Sequence, residues 1–259
     1  MKKTIGFLIV LMLLTAACSF PGTAPAAPTA LPLPPTPDLQ QMPVEPAAQA
    51  DLPTDPASAP TAEPRIFRDD FEGALEDGWR WQRENAVQWS LVRSPGWLEI
   101  TAGSGFVRDG SLENLLLRPL PAGDFEMETR LKFKPAANFQ FAGLIAYESD
   151  ADFIQFGRAF CNSPQECAND GFYLDVRVQG SYTGDNFAVP APSADTLYLR
   201  MRREGGTFTS YYSEDGSNWV LVGAYSGVMN PSSIGLMAGQ STSGPLPAQF
   251  DYFSTGPIP

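Results

Sequence analysis

Histidine is absent from the 259-residue chain, and its absence removes the Ser-His-Asp and Cys-His triads together with the usual histidine-rich zinc sites. Positive charge is also scarce. Lys and Arg number 17 against 29 Asp and Glu, a net charge of −12, which excludes the concentrated basic surface that nucleic acid demands. Neutral partners fit this balance better. Cysteine occurs three times, too rarely for a disulfide-built scaffold. No apolar run reaches the roughly 18 residues needed to span a bilayer, and no stretch of a dozen residues combines helical spacing with caps.

The first quarter of the chain cannot form a core. Met1-Lys2-Lys3, an apolar run from Ile5 to Leu14 and then Thr15-Ala16-Ala17 read as a signal peptide over residues 1–17, by charge, length and small cleavage-site residues. The run is too short for a permanent span. Ala16-Ala17-Cys18 resembles a bacterial lipobox, with Thr15 in place of the usual leucine. The resemblance implies that Cys18 is acylated and becomes the mature N-terminus, tethered to a membrane rather than crossing it. Ser19 is not the aspartate that retains some lipoproteins at an inner membrane, so display at the outside of a bacterial cell envelope is expected.

Lipidation of Cys18 leaves Cys161 and Cys167 as a pair in an oxidising compartment, and a disulfide across Cys161-Asn-Ser-Pro-Gln-Glu-Cys167 is the natural expectation. A zinc pair is the alternative, although no further cysteine or histidine exists to complete four ligands.

Between Ser19 and Arg65 lie 13 of the 25 prolines and a single aromatic, Phe20. Such a composition cannot bury enough apolar surface to pack. Extended at about 3.1 Å per residue, it makes a stalk of roughly 140 Å. Residues 66–259 then form the functional domain and contain all five tryptophans.

Alternation dominates that domain. Phe125–Phe133, Gly171–Gln179 and Thr196–Arg203 each place apolar residues at every second position, the period of half-buried strands. Turn residues recur at Ala122-Gly-Asp124, Glu204-Gly-Gly206, Glu214-Asp-Gly-Ser217 and Asn230-Pro-Ser232. The fold class is all-β, an antiparallel β-sandwich or jelly roll.

Gly78-Trp-Arg-Trp-Gln-Arg-Glu-Asn85, Trp89-Ser-Leu91 and Pro95-Gly-Trp-Leu-Glu-Ile100 open a series that continues in order. It runs through Leu116-Leu-Arg118, Phe141-Ala-Gly-Leu-Ile-Ala-Tyr147, Leu197-Tyr-Leu-Arg200 and Tyr211–Trp219 to Ile234-Gly-Leu236 and Ala248-Gln-Phe-Asp-Tyr-Phe253. The series resembles the concanavalin A-like (laminin G-like) domain at the C-terminus of family 43 β-xylosidases and related domains of unknown function. This resemblance implies a concanavalin A-like jelly roll. The xylosidases' catalytic propeller has no counterpart here, so their activity does not follow.

Chemistry is thin. Glu148-Ser-Asp-Ala-Asp152 is the best glycosidase candidate, but Phe153 stands where jelly-roll glycosidases carry their last glutamate. It reads instead as a turn between strands at 143–147 and 153–156, with no catalytic residue assigned. The resemblance also implies a structural calcium near the chain's entry and exit, for which Asp69, Asp70, Glu72 and Asp251 are the oxygen donors. Solvated acids at strand ends are the simpler alternative.

Binding is better supported. Phe172, Leu174, Val176 and Val178 pack inward, which sends Tyr173, Asp175, Arg177 and Gln179 to the other face. Tyr198, Arg200 and Arg202 oppose Leu197, Leu199 and Met201 in the same way. If the two strands share the concave sheet, Tyr173, Asp175, Arg177, Tyr198 and Arg200 form a platform for sugar rings and hydroxyls, and Tyr147, which closes an apolar strand at a loop, is a further ligand candidate. Cross-strand ion pairs on a solvated face are the competing reading, and the tryptophans read as packing residues. The expectation is a non-catalytic carbohydrate-binding lipoprotein. A protein-interaction or structural lipoprotein and a diverged glycosidase are the alternatives.

Overall fold

A computed structural model describes residues 66–163, 167–183 and 187–258. The signal peptide, Cys18 and the proline-rich stretch lie outside the described residues. In chain order the strands are β1 (Phe67–Asp69), β2 (Arg80–Gln82), β3 (Trp89–Ser90), β4 (Leu98–Ala102), β5 (Leu115–Pro119), β6 (Phe125–Lys132), β7 (Phe141–Ser149) and β8 (Asp152–Cys161). They continue as β9 (Asn169–Val178), β10 (Ser181–Tyr182), β11 (Phe187–Pro190), β12 (Thr196–Glu204), β13 (Thr207–Ser213), β14 (Val220–Ser226), β15 (Ser233–Gly239) and β16 (Leu246–Gly256).

These strands form two antiparallel sheets packed as a sandwich. The first is ordered β14-β13-β12-β6-β16-β4-β3, with β1 also paired to β16. The second is ordered β10-β9-β8-β7-β15-β5-β2, with β11 also paired to β9. The all-β jelly roll expected from alternation and turn spacing is what forms.

The core follows from the alternation. On β6 the residues Phe125, Met127 and Leu131 are buried while Glu126, Glu128 and Arg130 are part-exposed, and β12 repeats this with Leu197, Leu199 and Met201 against Tyr198, Arg200 and Arg202. The inward sets meet Leu144, Ile154, Phe156, Phe172, Leu174 and Leu236 of the second sheet in one cluster. Each fully buried Leu or Phe contributes about 1.5–3 kcal/mol. Tyr212 of the first sheet stacks on Phe172 of the second with ring centroids 4.2 Å apart.

Residues 141–147 of β7 and all of β15 are buried without alternation. Such strands are covered on both faces. The cover is the connection 103–114, whose Val107 and Leu112 join Leu115, Leu117, Phe141, Ile145, Tyr147, Phe153, Tyr173 and Met237 in a second apolar cluster. This cluster lies on the side of the sheet opposite the main core.

Arg158 closes one end of the sandwich and is 1% exposed. Its guanidinium donates to both oxygens of Asp170 at 2.7 Å and to the carbonyls of Phe133 and Ala194 at 2.9 and 2.7 Å. A buried charge is tolerable only with such complete pairing. Cys161 and Cys167 form the expected disulfide, with Cα atoms 5.2 Å apart.

Candidate functional site

The six candidate ligand residues, five from alternation and Tyr147 from its place at a strand end, divide between the two sheets. Tyr147 is on β7 and Tyr173, Asp175 and Arg177 are on β9 of the second sheet, whereas Tyr198 and Arg200 are on β12 of the first. Alternation placed each of the five side chains on the outer side of its strand, but the two groups face away from each other across the sandwich.

On the second sheet the outer face is largely closed. Tyr147 and Tyr173 are buried in the apolar cluster that includes Val107 and Leu112, the Tyr173 hydroxyl accepting from the Ala168 N–H and donating to the Asn169 carbonyl, and burial raises the pKa of both phenols. Arg83 clamps the cover in place. It donates to the Leu112 carbonyl at 2.6 Å and to both oxygens of Asp150 at 3.1 and 3.2 Å. Tyr147 in turn donates to Asp150 at 3.0 Å and accepts from Gln82 at 2.7 Å.

A second polar chain runs beside this clamp, from Gln240 to Gln155 at 2.8 Å and from Gln155 to Asp175 at 3.0 Å. Burial raises the Asp175 pKa, opposed by the Gln155 bond and by the charge of Arg177. Arg177 is itself buried, donating to the Gly180 carbonyl at 2.7 Å with Tyr182 stacked 3.6 Å from its guanidinium carbon.

On the outer face of the first sheet the strand side chains pair with one another instead. Register sets Tyr198 opposite Arg130, Arg200 opposite Glu128 and Arg202 opposite Glu126. Arg200 donates to Glu128 at 2.6 Å and Arg202 to Glu126 at 3.0 Å, while Tyr252 donates to the other oxygen of Glu128. Burial and Glu128 together raise the Tyr252 pKa. These are the cross-strand pairs of a solvated sheet.

Aromatic rings lie among the pairs. The Arg200 guanidinium carbon sits 3.8 Å from the Trp219 ring centroid, and that of Arg130 sits 5.5 Å from Trp97 and 5.7 Å from Tyr198. All three rings remain part-exposed. Trp79, Trp81 and Trp89 instead pack against the main core, as the sequence reading holds for every tryptophan. Trp97 and Trp219 lie outside that core, each beside an outward-facing arginine, in the edge position that a packing reading also allows.

The turn that presents Trp219 is built by Asp215. Its carboxylate accepts from the backbone N–H groups of Ser217 and Asn218, both at 2.8 Å, and from the Asn218 side chain at 2.7 Å. Those bonds hold its pKa below the usual carboxylate range. Gly216 has φ 75°, and a Cβ there would meet the Tyr198 ring at 3.2 Å. The position therefore needs glycine for both conformation and space, and the turn seats against Tyr198.

The remaining acids have local partners. Asp152 accepts from Ser149 at 2.9 Å and from the Gln179 N–H at 2.7 Å, so the segment 148–152 is the turn between β7 and β8 that the sequence suggests. Around the expected calcium site, Asp69 accepts from the Phe71 and Glu76 N–H groups and from the Trp79 indole at 2.8, 2.9 and 2.8 Å. Asp70 pairs with Arg68 and Asp251 with Arg130, and Glu72 is exposed. Among the described residues no three Cys, Asp or Glu side chains gather as metal ligands.

Comparison with known proteins places these faces in a family. Residues 68–255 match the β-xylosidase C-terminal concanavalin A-like domain. A xylan 1,3-β-xylosidase of a Vibrio species is 28% identical over 138 residues, which are 52% of this chain and 24% of that protein. A family 43 protein of Bacillus licheniformis superposes with a TM-score of 0.65 at 21% identity, covering 74% of this chain and 39% of that one. The xylan β-1,4-xylosidase of Bacillus halodurans gives 0.64 at 22% identity, covering 80% and 41%. The chain thus spans about a quarter of the curated relative and two-fifths of these two solved chains. With the family match extending over most of the chain, the protein belongs to the β-xylosidase C-terminal concanavalin A-like domain family.

Proposed function

We propose that the protein is a non-catalytic glycan-binding module, held at a bacterial cell envelope by acyl chains on Cys18 and displayed on its proline-rich stalk. The observation that carries this reading is the layer on the first sheet, where Trp97, Tyr198 and Trp219 stay part-exposed with Arg130 and Arg200 beside them. Sugar rings offer C–H faces to aromatic rings and hydroxyls to guanidinium and carboxylate groups. Rings already held by packing lose little freedom when a ligand arrives. Binding is favoured over hydrolysis because each acid of Glu148-Ser-Asp-Ala-Asp152 is committed elsewhere: Glu148 accepts from the Asn230 N–H, Asp150 from Arg83, and Asp152 from Ser149 and the Gln179 N–H. Xylan is the first ligand to try, since the Vibrio relative is named for acting on it.

The test is a pull-down on insoluble xylan and a glycan array with the full chain, with and without calcium, beside Tyr198→Ala and Trp219→Ala. Saturable binding that weakens about tenfold in either variant supports the reading, tenfold corresponding to about 1.4 kcal/mol. Absence of binding to every glycan contradicts it. The calcium arm asks whether Asp70, Glu72 and Asp251 take up a stabilising ion, read as a thermal midpoint that rises with calcium.

A further inference from the structure

Seven non-glycine residues among those described have φ in the left-handed region: Phe71, Arg83, Asn114, Phe139, Asn169, Gln179 and Gln240. For a bulky side chain this conformation is a genuine outlier, and such strain persists where surrounding structure enforces it. Six have an evident reason. Phe71 is fully buried in the core, Arg83 clamps Leu112 and Asp150, and Gln240 holds Gln155. Asn114 and Asn169 belong to the residue type that tolerates the region best, and Gln179 precedes Gly180, also at positive φ, in the tight turn from β9 to β10.

Phe139 is different. Its φ is 65°, yet the residue is 47% exposed, so core burial does not compensate for the conformation. The loop 133–140 that carries it is firmly built. The Gln140 side-chain oxygen accepts from the Ala136 and Ala137 N–H groups at 2.9 and 3.1 Å, and the Phe139 N–H donates to Phe160 at 2.8 Å. Asn138 exchanges two bonds with Asn162, at 2.7 and 2.9 Å, and its carbonyl accepts from the Thr242 hydroxyl at 3.0 Å. The Phe139 ring stands edge-on to Phe106, centroids 6.4 Å apart, and the Arg108 guanidinium carbon lies 4.0 Å over Phe106.

We propose that Phe139 and Phe106, flanked by Arg108 and the Asn162 amide, form a second sugar-stacking site at the end of the sandwich where 103–114, 133–140 and 240–245 meet. A rigid loop that spends backbone strain to expose an aromatic ring is arranged for contact, not for packing. Two rings, one guanidinium and one amide match a single neutral pyranose, its C–H face on Phe139 and its hydroxyls toward Arg108 and Asn162. A protein interface needs a larger surface, and a net charge of −12 repels an anionic membrane. The site rests on the glycan reading but uses none of the residues on the first sheet's face.

The experiment measures xylohexaose and insoluble-xylan affinity, with thermal midpoint, for the full chain and for Phe139→Asn, Phe139→Trp and Trp219→Ala. Asparagine tolerates the left-handed conformation but lacks a ring; tryptophan keeps the ring. We expect Phe139→Asn to bind about tenfold more weakly at an equal or higher midpoint, and Phe139→Trp to retain binding. Binding that survives Trp219→Ala and is lost in Phe139→Asn supports the rim site even where the first-sheet face fails. Parent-like affinity in Phe139→Asn overturns the rim site while leaving the face untouched, and no glycan binding by the parent overturns both.

Discussion

The two outer faces of this sandwich are made from the same kind of strand and end differently. On the first sheet, outward residues of β6 and β12 form ion pairs with Trp97, Tyr198 and Trp219 beside them, all part-exposed. On the second, Tyr147 of β7 and Tyr173 of β9 enter a second apolar cluster that Val107 and Leu112 of 103–114 complete, with Cys161 and Ala168 packed against it. Apolar cover accounts for the contrast. Where Val107 and Leu112 dock beside Tyr147, and Cys161 and Ala168 pack on the same cluster, outward aromatics become packing residues; on the first sheet they stay part-exposed. The lesson is that an outward position is necessary for a binding residue and insufficient for one.

This comparison can be broken in several ways. The largest expected effect is Leu112→Ala, which opens a cavity under the cover and should cost about 2–5 kcal/mol in denaturant unfolding. A cost below about 1 kcal/mol, the range of ordinary surface changes, would mean that the cover contributes little and the second face is not closed by it. Next comes Arg83→Ala, which removes the donor to the Leu112 carbonyl and leaves Asp150 with Tyr147 but without its cation. We expect about 1–3 kcal/mol of lost stability and faster amide exchange confined to 103–114, whereas uniform exchange across the domain would show that Arg83 is not a local clamp.

Trp219→Ala on the open face should do the reverse. The stability cost is about 0.5–1 kcal/mol, the size of an exposed cation–π contact, while glycan affinity falls about tenfold. Asp175→Asn gives the smallest effect and depends on pH. Because burial raises the folded pKa of Asp175, its ionised form opposes folding. That penalty is absent below the unfolded pKa of about 3.9 and grows as pH rises through the raised folded value. The asparagine variant should therefore gain stability relative to the parent between pH 4 and pH 7, measured by denaturant titration at each pH. A difference that is flat with pH would show that Asp175 is solvated like an ordinary surface acid.

Local pattern carried the fold a long way. Alternation in β6, β9 and β12 separated inward from outward residues correctly, and Glu148–Asp152 and Ser213–Trp219 were legible as turns because Asp, Ser and Gly favour them. What alternation could not reveal is pairing at long range. β12 joins β6, with Thr196 opposite Lys132, while β9 joins β8, with Asn169 opposite Cys161. Nothing within either strand encodes that choice, so five outward residues that read as one platform fall on two. The unbroken apolar run Phe141–Tyr147 did carry a signal that its strand is covered twice. Arg158 and Phe139 were invisible, because inward burial of an arginine and a left-handed phenylalanine both come from surroundings assembled in three dimensions.

The most direct test of the open-face account is oxidative footprinting of the five tryptophans with and without saturating xylohexaose. The account predicts that ligand protects Trp97 and Trp219 and leaves the reactivity of Trp79, Trp81 and Trp89, which are also part-exposed, unchanged. Binding that leaves Trp97 and Trp219 as reactive as in the free protein would contradict it.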